Sequence, residues 1–185
     1  MADYPTIFYR GPSSLVAHEG IIPIPSISTA LDYEAELALV IGKTARNVSE
    51  ADALQHVFAY TCFNDGSFRD YQRKTTQWTV GKNFDATGGF GPALVTADEL
   101  GDPANLNLEL SVNGELRQRS NTNKLVYDVP RLIEYASAWY TLHPGDIILT
   151  GTPEGVGPVK PGDVIHASIE RVGSFDMRVA SQYAA

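Results

Sequence analysis

Leu31-Asp32-Tyr33-Glu34-Ala35-Glu36-Leu37-Ala38-Leu39-Val40-Ile41 is the stretch from which the fold is most directly read. Side chains along a β-strand alternate between its two faces, so Leu31, Tyr33, Ala35, Leu37, Leu39 and Ile41 share one face. Glu34 and Glu36 fall on the other, about 7 Å apart for an i, i+2 pair. The apolar neighbours around them predict a buried strand, where unpaired carboxylates are costly. Two readings are open at this point. A hard cation shared by the two carboxylates and a third oxygen ligand removes the cost; an edge strand with a solvated outer face avoids it.

Outward from this strand the pattern repeats. Gly and Pro, 16 and 11 in number, fall in short punctuating clusters, and most pieces between them are short and alternate apolar with polar. Asn105 to Val112 alternates through Leu106, Leu108, Leu110 and Val112, then meets Asn113-Gly114, whose tolerance of positive φ suits a type I′ hairpin turn. Further strands are expected at Asp146 to Thr150, Val164 to Glu170 and Phe175 to Ala180, the last two linked around Gly173. Ser49 with Asp52 resembles a capping box, and Leu54, Val57, Phe58 and Thr61 follow at helical spacing, which predicts a first helix. A second is expected after Asp128, with Pro130 in its first turn and Leu132, Ile133, Ala136, Trp139 and Tyr140 as an apolar stripe. No repeat, low-complexity run or linker interrupts the chain, so residues 1–185 read as one domain, α+β in class and mainly β.

With 185 residues, 43% of them hydrophobic, the chain is long enough for one substantial core. Lys plus Arg is 14 against 22 for Asp plus Glu, a net charge of −8, and no segment gathers the basic residues. That balance argues against nucleic acid as a partner. No apolar run approaches the roughly 20 residues needed to cross a bilayer, which argues against a membrane. Cys62 stands alone, and no basic stretch followed by an apolar targeting run opens the chain. A soluble protein of the reducing cytoplasm is the expectation.

Other residues able to carry chemistry lie in three stretches. Asp65, Arg69 and Asp70 occur in Phe63-Asn64-Asp65-Gly66-Ser67-Phe68-Arg69-Asp70; Asp65 before Gly66 is equally a turn residue, and Arg69 and Asp70 equally a surface pair. Lys82 follows Trp78-Thr79-Val80-Gly81, and its point charge suits a substrate carboxylate or a developing enolate. Thr150-Gly151-Thr152-Pro153-Glu154-Gly155-Val156-Gly157 offers hydroxyls and approachable backbone N–H groups, a cradle for an oxyanion or carboxylate. It lacks the ending of a P-loop, which excludes nucleotide phosphate binding of that kind.

These segments, taken together and in order, resemble the fumarylacetoacetate hydrolase superfamily. Asp32 to Lys43 is similar to that family's metal-site strand, Asn64 to Gln72 to the segment supplying a third metal carboxylate, and Gly81 to Asp85 with Gly91-Pro92 to its lysine segment. Val112 to Glu115 and Gly145 to Pro153 complete the order. The resemblance implies a mixed β-roll and a homodimer. It implies Mg²⁺ or Mn²⁺ held by Glu34, Glu36 and Asp65, with Lys82 beside the substrate oxygens. By the same resemblance Arg69 and Gln72 line the pocket and join Lys82 as catalytic residues, while Thr152, Gly151 and Tyr71 bind the substrate, Thr152 holding its carboxylate. The implied substrate is a small 2-oxo or 2,4-dioxo acid that chelates the ion and passes through a metal-bound enolate. Hydrolysis of an acylpyruvate, decarboxylation of oxaloacetate and keto-enol tautomerisation all share that species, the first two being the leading expectation, with a tautomerase or a 2-hydroxydienoate hydratase as the alternative.

The resemblance departs at one place. Family members carry a lid helix with a His and a Glu ahead of the segment matching Pro5-Thr6-Ile7-Phe8-Tyr9-Arg10, and here Met1-Ala2-Asp3-Tyr4 stands before it. His18-Glu19, His56, His143 and His166 read as structural or exposed and do not replace that pair. Decarboxylation, which needs no activated water, survives such a loss most easily. A silent module that keeps the metal and acid pocket without turnover is the alternative from a different class.

Overall fold

The structure, a computed structural model, describes residues 4–182; the residues before Tyr4, on which the lid reading partly rests, lie outside them. The first five-stranded sheet runs Leu15–Ala17, Gly88–Thr96, Val57–Asp65, Ala35–Ile41 and Ile147–Leu149. The second runs Ile21–Ile24, Gly173–Ser181, Val164–Ile169, Asn107–Val112 and Glu115–Asn121. Gly157–Pro158, Leu31–Tyr33 and Ser67–Phe68 form a small third sheet. Leu15–Ala17 and Ile21–Ile24 pair in parallel with their neighbours, so both large sheets are mixed, as expected for a mainly β, α+β chain. Among the described residues no helix is long and apolar enough to cross a membrane.

The stretch Leu31 to Ile41 is two strands and not one. It changes sheets at Glu34, with Leu31–Tyr33 in the small sheet and Ala35–Ile41 in the first large one. Every residue from Ala35 to Ile41 is buried, because that strand lies between Val57–Asp65 and Ile147–Leu149 and is covered on both faces. The edge-strand reading is thereby excluded. The hairpin stands as expected, with Asn113 and Gly114 at φ 52° and 81°. Strands also occupy Ile147–Leu149, Val164–Ile169 and Gly173–Ser181.

The first helix is a correction. Only Glu50–Ala53 is α-helical, Leu54–His56 is a 3₁₀ turn, and Val57, Phe58 and Thr61 belong to the strand Val57–Asp65. Helical spacing was the weaker signal there: β-branched and aromatic residues crowd this segment, and two flanking strands satisfy its backbone. The strand Gly88–Thr96 is an addition to the strands expected from sequence, in a segment rich in glycine and carrying Pro92. Its glycines serve close packing. A Cβ on Gly89 would stand 2.0 Å from the Met177 sulfur of the facing sheet. The second helix is present as Val129–Trp139, capped by Asp128 accepting from Arg131 N at 3.0 Å. Its buried face, however, is Val129, Ile133 and Ser137, while Trp139 and Tyr140 are 68% and 54% exposed. Small Ser137 fits where the loop comes close enough for Val48 N to donate to its hydroxyl at 3.0 Å.

Cys62 is fully buried on the central strand and donates to Gly173 O at 3.2 Å. Burial pushes its thiol up to about 12. The folded protein should therefore resist thiol reagents at pH 8 and be labelled only at the rate of unfolding; fast stoichiometric labelling in buffer would contradict this packing.

Candidate metal centre

Strand register brings the three carboxylates together. Ala35 pairs with Asn64, and at the sheet change Asp65 N donates to Glu34 O at 2.8 Å while Glu34 N donates to Asn64 Oδ1 at 3.0 Å. Glu34, Glu36 and Asp65 thus each present a carboxylate oxygen within 4.8 Å of the other two, and all three residues are buried. Lys82 closes the short helix Thr79–Lys82, where Gly81 permits contact with Gln72: a Cβ there would lie 2.5 Å from Gln72 N. The Lys82 ammonium, 2% exposed, donates to Glu34 Oε2 at 2.8 Å and to Asp65 Oδ2 at 2.5 Å.

Arg69 does not pair with Asp70 as one sequence reading allowed. Its guanidinium donates to Asp32 Oδ2 at 2.7 Å, to Gln72 Oε1 at 2.8 Å and to Glu34 Oε1, while Asp70 accepts from the Ser28 hydroxyl. Arg10, to which no role was given from sequence, is also part of the centre. It donates to Asp65 Oδ1 at 2.6 Å, Gly66 O at 3.2 Å and Thr87 Oγ1 at 2.9 Å. Nothing in an isolated exposed-looking Tyr-Arg-Gly marks such a residue.

Glu36 differs from its neighbours. Gly151 N donates to it at 2.8 Å, at a φ of 94° that glycine adopts without strain, and no described cation pairs with it. Burial, then the negative charges of Asp65 and Glu34, pushes its carboxyl well above the usual carboxylate range. A buried carboxylate short of positive charge is what a bound cation corrects. Three carboxylate oxygens are a donor set suited to a hard ion such as Mg²⁺ or Mn²⁺, so the residues present fit a divalent metal.

Eight of the nine residues expected at the site, Glu34, Glu36, Asp65, Arg69, Gln72, Lys82, Gly151 and Thr152, line one cavity of about 690 Å³. Tyr71 does not line it; its ring packs edge-on against Phe84 at 5.0 Å with the Lys74 ammonium 3.3 Å over its face. The histidines also stand elsewhere, His166 against Asp176 and His18 accepting from Asp176 N, and no described histidine lines the cavity.

A family model described as fumarylacetoacetate (FAA) hydrolase C-terminal matches residues 1–180. The chain belongs to the fumarylacetoacetate hydrolase family. Within this family it is 48% identical over 180 residues to the mitochondrial oxaloacetate tautomerase of Xenopus laevis, covering 92% of this chain and 56% of that protein. The 5-carboxymethyl-2-hydroxymuconate delta-isomerase of Mycobacterium smegmatis superposes with a TM-score of 0.93 at 40% identity, over 97% of this chain and 70% of that one. The maleylpyruvate hydrolase of Sphingobium sp. SYK-6, solved with manganese(II) and pyruvate, gives 0.87 at 41% identity, over 94% and 64%. The chain thus spans a little over half of the tautomerase and about two thirds of the two structures. Relatives with enzymatic names support an enzyme.

Proposed function

We propose that the chain holds one Mg²⁺ or Mn²⁺ ion on Glu34, Glu36 and Asp65 and cleaves a carbon-carbon bond in a small 2-oxo or 2,4-dioxo acid, as a hydrolase or decarboxylating lyase. The convergence of three buried carboxylates, with Glu36 short of a cationic partner, carries this reading. When bound, such an ion supplies Lewis-acid polarisation of a keto oxygen. The remaining tasks fall to the chain itself. Thr152 Oγ1 accepts from Gln118 Nε2, which leaves its own proton to donate to a substrate carboxylate. Lys82 offers an ammonium to substrate oxygens as they gain charge, and Arg69 with Gln72 fixes the neighbouring wall.

Keto-enol exchange of oxaloacetate is the second reading, favoured by the 48% identity to an oxaloacetate tautomerase. Purified protein with Mg²⁺ and then Mn²⁺ should be offered oxaloacetate, an acylpyruvate and a 2-hydroxydienoate, with a chelator control. Chelator-sensitive pyruvate release from oxaloacetate or the acylpyruvate supports cleavage. Accelerated enol-keto equilibration without pyruvate selects the tautomerase. Metal binding without turnover of any of them leaves the silent module. The chain is further proposed to act as a homodimer, and light scattering should give twice the 20.1 kDa chain mass.

A further inference from the structure

Gln118 is 1% exposed on the strand Glu115–Asn121 of the second large sheet, behind the cavity wall, and its side chain bonds to two residues that line the cavity, Thr152 and Pro153. Its Oε1 accepts at 3.0 Å from Ala35 N, the peptide group between Glu34 and Glu36. Its Nε2 donates at 2.9 Å to Thr152 Oγ1 and at 2.9 Å to Pro153 O. One amide therefore ties the carboxylate-bearing strand to the cradle opposite it, and each of its polar atoms has a partner, as burial requires.

The hairpin is built to aim that amide. Leu110 faces Gln118 while Ser111 faces Leu116, so Arg117 is the extra residue of a bulge, a device that redirects a neighbouring side chain. The Arg117 carbonyl sits against Gly155, where a Cβ would come within 2.2 Å of it, and Gly155 has a φ of 96°. Tyr33 in turn donates its hydroxyl to Gly155 O at 2.8 Å. Bulge, glycine and tyrosine lock the strand that carries Gln118 against the loop it holds.

We propose that Gln118 is a positioning residue that sets the spacing between the cation ligands and Thr152 and, by donating to Thr152 Oγ1, turns the threonine proton toward the substrate carboxylate. The site then selects acids whose carboxylate and adjacent oxygen span that fixed distance. This rests on the reading of Thr152 as the carboxylate partner. The test uses Gln118→Met, which keeps side-chain length without the amide, and Gln118→Glu, which keeps an acceptor for Ala35 N and removes both donors. Calorimetry on the full chain measures Mg²⁺ alone and then oxalate, a two-oxygen chelator shaped like the enolate of pyruvate, in the presence of Mg²⁺. Both variants should bind oxalate about tenfold or more weakly; Gln118→Met should keep Mg²⁺ affinity within about twofold, and Gln118→Glu, which adds a carboxylate, should not lower it. If Gln118 acts through Thr152, the double variant with Thr152→Val should be no worse than the poorer single one. Effects that multiply in the double variant, an equal loss of Mg²⁺ affinity, or unchanged oxalate binding would each overturn the proposal. Should the unaltered protein bind Mg²⁺ but no oxalate, the functional reading fails by itself. Amide hydrogen exchange of residues 151–155 then decides the brace, which is refuted if Gln118→Met leaves exchange there unchanged.

Discussion

Glu36→Gln should weaken Mg²⁺ binding on the order of 100-fold, because a hard cation loses a charged oxygen donor whose replacement is nearly isosteric. Glu36 gives a cleaner test than Glu34, whose replacement also disturbs the ion pairs with Lys82 and Arg69. Where pH lies above the folded value of the Glu36 carboxyl, the same change should also raise the melting temperature of the metal-free protein, since it removes a buried charge with no cationic partner. The sign of the pH dependence follows from the upward displacement of the Glu36 carboxyl, caused first by burial and then by Asp65 and Glu34. Its protonated form is favoured by folding. That contribution is fully present below the ordinary value near 4.3 and is lost as pH rises through the folded value. In chelator, the unaltered protein should lose stability over that window and Glu36→Gln should lose less. Calorimetric Mg²⁺ affinity equal in the two proteins would remove Glu36 from the ligand set.

What the sequence made legible was whatever depended on local alternation or on turn chemistry. Asn113-Gly114 announced its hairpin, and Asp128 with Pro130 announced the start of its helix, because caps and tight turns are decided by a few adjacent residues. Glu34, Glu36 and Asp65 were legible through strand spacing and a matched motif. Long-range pairing was not. The segment from Val57 to Asp65 satisfies helical spacing as well as strand propensity, and only its two flanking partners decide between them. Arg10 and Gln118 reach the centre from 55 residues before Asp65 and from the second sheet, through contacts that no local pattern encodes. Tyr71 lies between Arg69 and Gln72 of the cavity in the chain, but on its short helix its ring packs against Phe84.

Lys82→Met should lower kcat by roughly 100-fold or more on whichever 2-oxo acid proves active, the scale for losing one group that stabilises developing oxyanion charge. A lysine aimed at the substrate oxygens alone, as the sequence suggests, would change cation affinity little when replaced. The geometry alters that expectation, because the ammonium shares Glu34 and Asp65 with the proposed ion. Two unit charges about 4 Å apart repel by roughly 4 kcal/mol at an effective dielectric of about 20, and side-chain relaxation reduces this. Mg²⁺ should therefore bind Lys82→Met about tenfold or more tightly. The metal-free variant, left with buried carboxylates that have lost a counter-ion, should melt lower, and added Mg²⁺ should recover much of that loss. A lysine serving only as a ground-state anchor would raise KM and hold kcat. One serving only the fold would lower the melting temperature while the variant saturated with Mg²⁺ kept its kcat. Steady-state kinetics, a Mg²⁺ titration and melting curves on the one variant separate these cases, and an unchanged kcat at saturating Mg²⁺ would exclude the role in turnover.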